Sequence, residues 1–173
     1  MSAQTLLHSL FKYKAWANEE LFAKIATIDP DTLQSERCAA IRLLNHVYVV
    51  DQIFSAHLSG VRHEYSGTNT PETPSFAELK SAVAKSDSWY IEYVGKTSPE
   101  ILKEEIRFTF VDGALGCMSR EEILAHVATH GDYHRGAVGR ILPTASVEPF
   151  TVYLHKESPR RLARLSDSAG KPK

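Results

Sequence analysis

Apolar residues in the first third of the chain recur at three- and four-residue steps. Leu6, Leu7, Leu10, Phe11, Leu21, Phe22 and Ile25 predict a helix over 3–28, with Tyr13 and Trp16 thickening its buried face. Lys12 and Lys14 interrupt the apolar residues, as on an amphipathic helix, and Asp29-Pro30-Asp31 ends it. A second helix follows over 39–60, closed by Gly60; its apolar residues cover so much of the circumference that deep burial is expected. The stretch 61–74 carries Gly67, Asn69, Pro71 and Pro74 and reads as a loop long enough to cross the end of a bundle. Ser75 and Glu78 form a capping pattern for a third helix over 75–97, and Pro99 follows its end.

The period then changes. Ile106, Phe108 and Phe110 alternate, and Asp112-Gly113 supplies a turn, predicting a small β-hairpin near 106–117. Ser119, with Glu121 and Glu122 behind it, opens a fourth long helix that runs to Leu142 before Pro143. A short element over 149–155 is expected to pack back on the bundle. The pattern as a whole is that of an all-α, four-helix bundle with one hairpin, its domain spanning 1–155.

Composition changes this picture little. At 173 residues, 43% hydrophobic and 24% charged, the chain has the size and balance of one globular domain that folds without disulfides. Its two cysteines, Cys38 and Cys117, lack CxxC spacing and read as reduced thiols. No stretch approaches the roughly 18 apolar residues of a membrane span. The N-terminus lacks a signal-peptide pattern, so a cytoplasmic location is expected. A formal net charge of −1 and the absence of a basic stripe or a helix-turn-helix signal argue against nucleic-acid binding. Residues 156–173 hold six basic and two acidic side chains, and this local charge of +4 reads as a solvated tail.

The chemistry lies in the histidines. His126, His130 and His134 follow at four-residue steps on the fourth helix, where neighbouring rings stack about 6 Å apart and can converge on one ion. Three rungs cannot all reach that ion easily, so His130 and His134 are taken as the chelating pair and His126 as a supporting or packing residue. Bundles complete such sites from a facing helix. His46, set among Leu43, Leu44, Val47 and Val50, is the natural donor, and three neutral imidazoles would leave a fourth position open. His8, His57, His63 and His155 show no comparable partners, and surface or core packing is their default. Asp51 is the carboxylate nearest His46 in sequence, but a five-residue step turns it about 140° around the helix, so it is expected to orient a neighbour.

The strings YKAWANEELF, ERCAAIRLLNHVYVVDQIFSAHLSG and ILAHVATHGDYHRGAVGRIL resemble the DinB (damage-inducible) family of proposed metalloenzymes. The resemblance covers roughly residues 5–155, and Asn45-His46, Asp51 and His130-x-x-x-His134-Arg135-Gly136 are its most specific parts. It implies an up-down-down-up bundle with a long crossover, and metal ligands at His46, His130 and His134. Three positions depart from the family pattern. Ala137 stands where a glutamine is common, Tyr133 where a histidine is frequent, and Phe54 where a tryptophan is usual. The resemblance further implies one divalent ion, zinc or nickel first, and a homodimer. It also implies a thiol-dependent transferase that takes a low-molecular-weight thiol and a small-molecule substrate. A metal-dependent hydrolase and a non-catalytic metal-binding or stress-response protein are the alternatives, and no GxSxG or HExxH motif is present.

Overall fold

The computed structural model describes residues 2–148, so the expected element at 149–155 and the basic tail at 156–173 lie outside the described residues. Four long helices, α1 (Ala3–Ala26), α2 (Gln34–Ser59), α3 (Phe76–Lys96) and α5 (Arg120–Thr144), form the bundle. A single-turn helix, α4 (Pro99–Leu102), leads into the hairpin of β1 (Glu105–Thr109) and β2 (Leu115–Ser119). Among the described residues, no helix is long and apolar enough to cross a membrane.

Two apolar clusters fix the direction of each helix. At one end Leu7 of α1 meets Leu58 of α2, Val94 of α3 and Ile123 of α5. At the other Ile25 meets Ala40, Leu79 and Leu142. The helices therefore run up, down, down and up. Since α2 and α3 are parallel, the segment 60–75 must travel the length of the bundle between them. Each of α2 and α3 has α1 or α5 beside it, with α1 packed on α3 and α5, and α5 packed on α2.

Local signals explain the element ends. Ser75 and Ser119 accept hydrogen bonds from the backbone of Glu78 and Glu122, and at Ser119 the Glu122 carboxylate returns the bond in a full capping box. Gly60 ends α2 in the left-handed region at φ 68°, a conformation that costs glycine little. The hairpin is longer at its tip than a two-residue turn: residues 110–114 form the connection, closed by a Phe110 N–H bond to the Ala114 carbonyl, with Gly113 at φ 89°.

Two expectations need correction, and one short helix was not expected. Helix α2 begins five residues before position 39, because Arg37 donates to the carbonyls of Ile25 and Ile28 and ties its first turn to the end of α1. Helix α5 continues past Pro143, whose ring already holds a helical φ and which forfeits one bond in the last turn. Ser98-Pro99 starts α4, a cap and first-turn proline that place Leu102 in the core.

Between the two apolar clusters lies a polar layer that crosses the whole bundle. Lys14 is fully buried rather than solvated, and its ammonium donates to Asp51 and Asp87, each at 2.6 Å. Asn18 bridges onward, donating to Asp87 at 2.8 Å and accepting from Arg135 at 3.2 Å. Arg135 also binds Asp132 at 2.6 Å. Tyr90, stacked on Phe11, donates its hydroxyl to the Asp51 backbone carbonyl. Burial pushes the Asp51 carboxyl up to about 6 against the opposing pull of Lys14, with Asp87 adding a like-charge push.

Two measurements test the layer. Lys14→Met leaves two carboxylates buried without their cation and is expected to lower the unfolding free energy by about 3–5 kcal/mol, read as a lower urea midpoint at neutral pH. Because the folded pKa of Asp51 is raised, the native state holds this proton more tightly than the unfolded chain. Its contribution to stability is greatest below about pH 4 and falls as pH rises toward 6. The stability of the wild type relative to Asp51→Asn should therefore fall across that window; a constant difference rejects the assignment.

Candidate metal centre

His46 stands midway along α2, and His130 and His134 occupy successive turns of α5, the helix packed against it. The three rings converge: centroids of His46 and His130 lie 5.0 Å apart, those of His46 and His134 4.6 Å, and those of His130 and His134 4.5 Å. One nitrogen from each falls within 4.8 Å of the others, and all three side chains are half-buried. The Nε2 atoms of His46 and His130 are 3.1 Å apart.

The crossover orients His46. Its Nδ1 lies 2.7 Å from the Thr68 carbonyl, an acceptor only, so Nδ1 carries the proton and Nε2 presents its lone pair toward His130. The same segment is fastened by neighbouring residues. Asn45 donates to the side chains of Asn69 and Thr70, Asn69 donates to the Arg42 carbonyl, and Arg42 holds the carbonyls of Thr70 and Glu72. Asn45 is buried, which makes this clamp costly to break.

Electrostatics keep His130 and His134 uncharged. Burial first, then His134, His46, His126 and Lys14, push the His130 imidazole down to about 3. Burial and His46 lower His134 as well. Neutral imidazole is the ligand form, so no proton has to leave these two rings at neutral pH. Tetrahedral zinc with nitrogen ligands at its usual bond length sets neighbouring nitrogens about 3.3 Å apart, and the Nε2 pair at 3.1 Å already has that spacing. The donor set fits a nitrogen-preferring divalent ion. The Nδ1 of His130 is buried and finds no hydrogen-bonding partner among the described residues.

His126 stays outside the group. It stacks on His130 at 5.6 Å and tilts against Phe54 at 5.0 Å, a packing role. Asp51 does not join either, being taken up by Lys14. Tyr133, 77% exposed, stands edge-on to His134 at 5.1 Å on the solvent side of the cluster. Phe54 instead faces inward, against Phe108. Sequence reasoning missed Lys14, Asn18, Asp87 and Thr68. The first two had a signal: Leu7, Phe11, Lys14, Asn18, Leu21 and Ile25 follow one alternating three-and-four spacing, so the two polar residues occupy core positions.

Comparison with known proteins adds an independent line. The model of the DinB family matches residues 1–162. Protein DinB of Bacillus subtilis (strain 168) is 23% identical over 146 residues, covering 79% of this chain and 84% of that protein. No solved structure matches the chain significantly.

Gly131 tests how the polar layer supports this cluster. A Cβ there would sit 2.8 Å from Arg135 Nη1 and 3.5 Å from Lys14 Cε, and Arg135 is pinned by Asn18 and Asp132. Gly136 on the same helix has open space around the corresponding position. Gly136→Ala should stabilise by up to about 1 kcal/mol through helix propensity alone. Gly131→Ala should instead lose about 1–2 kcal/mol net, since displacing a buried, charge-assisted hydrogen bond outweighs that gain. Equal melting shifts for the two variants would contradict the packing described.

Proposed function

This chain belongs to the DinB family, and from that premise we propose that it binds one divalent metal ion through His46, His130 and His134 and acts as a metal-dependent, thiol-using transferase on a small electrophilic substrate. The observation that carries the reading is the convergence of three imidazoles from two helices, with one of them oriented by a backbone carbonyl. Zinc or nickel suits three imidazoles. A bound ion supplies Lewis acidity, lowering the pKa of a coordinated thiol or water by several units.

The chain's own residues set the conditions for that chemistry. Thr68 holds His46 in the tautomer whose Nε2 faces the cluster. Burial of His130 keeps its ring from competing for a proton. Among the described residues three donors converge, which leaves a fourth position for an exogenous ligand. Tyr133, on the exposed side of His134, offers an aromatic surface and a hydroxyl to whatever approaches. Arg135 points away from this face and into the polar layer, where it fixes the rotation of α5.

Elemental analysis of the purified protein should find one equivalent of zinc or nickel, with His46→Ala and His134→Ala each lowering occupancy at least tenfold. A glutathione-type thiol and a chlorinated aromatic acceptor should then be turned over by the wild type, lose activity with a chelator and regain it with added zinc. Ester cleavage without thiol transfer would support the hydrolase instead, and full occupancy with no turnover of either would support a binding protein. A wild type that carries no metal and takes none up sinks the reading altogether.

A further inference from the structure

The fold brings together two histidines that sequence spacing leaves unrelated. His57 lies in the last turn of α2 and His63 in the crossover; the left-handed turn at Gly60 and the Val61 N–H bond to the Ala56 carbonyl fold the chain back. Their rings stand 5.2 Å apart at 75°, close to the 4.5–5.0 Å separations within the three-histidine cluster. His57 Nε2 and His63 Nδ1 are both buried, and neither has a hydrogen-bonding partner among the described residues. Two such nitrogens left unmatched on neighbouring rings cost the fold free energy that a shared partner would return.

The surroundings narrow what that partner is. His57 is held flat on Phe108 at 4.7 Å and edge-on to Phe54 at 6.0 Å, so its ring is not free to turn toward water. Burial, then His63, lowers the His57 pKa, which leaves a neutral imidazole. Tyr65 lies 6.3 Å from His63. The pair opens on a groove of about 650 Å³ between the start of the crossover and β1, also lined by Arg62, Arg107 and Thr109, and neither arginine contributes to the lowered His57 pKa. Among the described residues no carboxylate lines this groove, which disfavours calcium and magnesium. Two imidazoles instead suit borderline transition metals, of which divalent copper binds nitrogen sites most tightly.

We propose that His57 and His63 form a second, separate site for a transition-metal cation, with Cu(II) as its strongest ligand and water completing the coordination from the groove. Eleven residues along α2 separate His57 from His46, roughly 16 Å of helix, so the two sites do not share a ligand. With two protein donors rather than three, the site binds more weakly than the three-histidine cluster and exchanges its ion more readily.

Copper titration of the full chain separates the sites. A His130→Ala, His134→Ala double variant removes the first cluster, and Cu(II) added to it should still give one equivalent with nitrogen hyperfine structure in the electron paramagnetic resonance spectrum. Adding His63→Gln should weaken that binding at least tenfold. His57→Phe, which keeps the ring on Phe108 and deletes both nitrogens, should do the same while circular dichroism shows the fold retained. The proposal is overturned if the double variant binds no copper, or if His57→Phe leaves its binding unchanged; the two nitrogens then share only a water molecule.

Discussion

One buried ammonium holds this bundle in register. Lys14 sits on α1 with carboxylates from α2 and α3 both at 2.6 Å, so three helices meet at a single nitrogen. Apolar contacts would tolerate a helix sliding or rotating by part of a turn, since leucine and valine pack in many registers. A charge shared between Asp51 and Asp87 does not, because any displacement strands an ion in a low-dielectric interior. The two hydrophobic clusters, one on each side, keep water from this layer and make the penalty steep. The fourth helix is joined to the same arrangement through Asn18 and Arg135.

The three histidines sit at the edge of that layer and inherit its geometry. Arg135 follows His134 in sequence, so fastening its guanidinium to Asn18 and Asp132 sets which way His130 and His134 project. Asp51 acts in the same way on α2, a turn and a half beyond His46. The remaining freedom, the spin of the His46 ring, is removed by Thr68. Scaffold and site are therefore not separable: the polar contacts that choose the bundle's register also choose the separation of the imidazole nitrogens.

Much of this was legible in the sequence where local rules suffice. Helical periodicity located the four long helices, alternation located the hairpin, and four-residue spacing paired His130 with His134. His46 was legible because a histidine among Leu43, Leu44, Val47 and Val50 is an exception that asks for a reason. Lys14 was misread, since a lysine beside Lys12 looks like one more solvated charge, and only its place in the three-and-four spacing marks it as interior. Thr68 was illegible in principle: its contribution is a backbone carbonyl, which every residue has, placed by a loop without periodicity. His57 and His63 escaped for a related reason. Six residues apart, they are neighbours only because Gly60 reverses the chain, and hairpin-like returns after a helix leave no periodic trace.

The separation of the site's parts along the chain bears on how the molecule reaches its native state. His46 and His130 are 84 residues apart, and the carbonyl that orients His46 lies 22 residues beyond it. Neither contact belongs to a local helical hairpin, so both wait for the crossover to be laid down and for α5 to close the bundle. The three-histidine cluster, like Asn45's clamp on Asn69 and Thr70, therefore closes long loops, the kind of contact that loop entropy makes slow to form. An ion bound there would add little to the speed of folding and much to the slowness of unfolding, turning a late-formed contact into a latch on the finished topology.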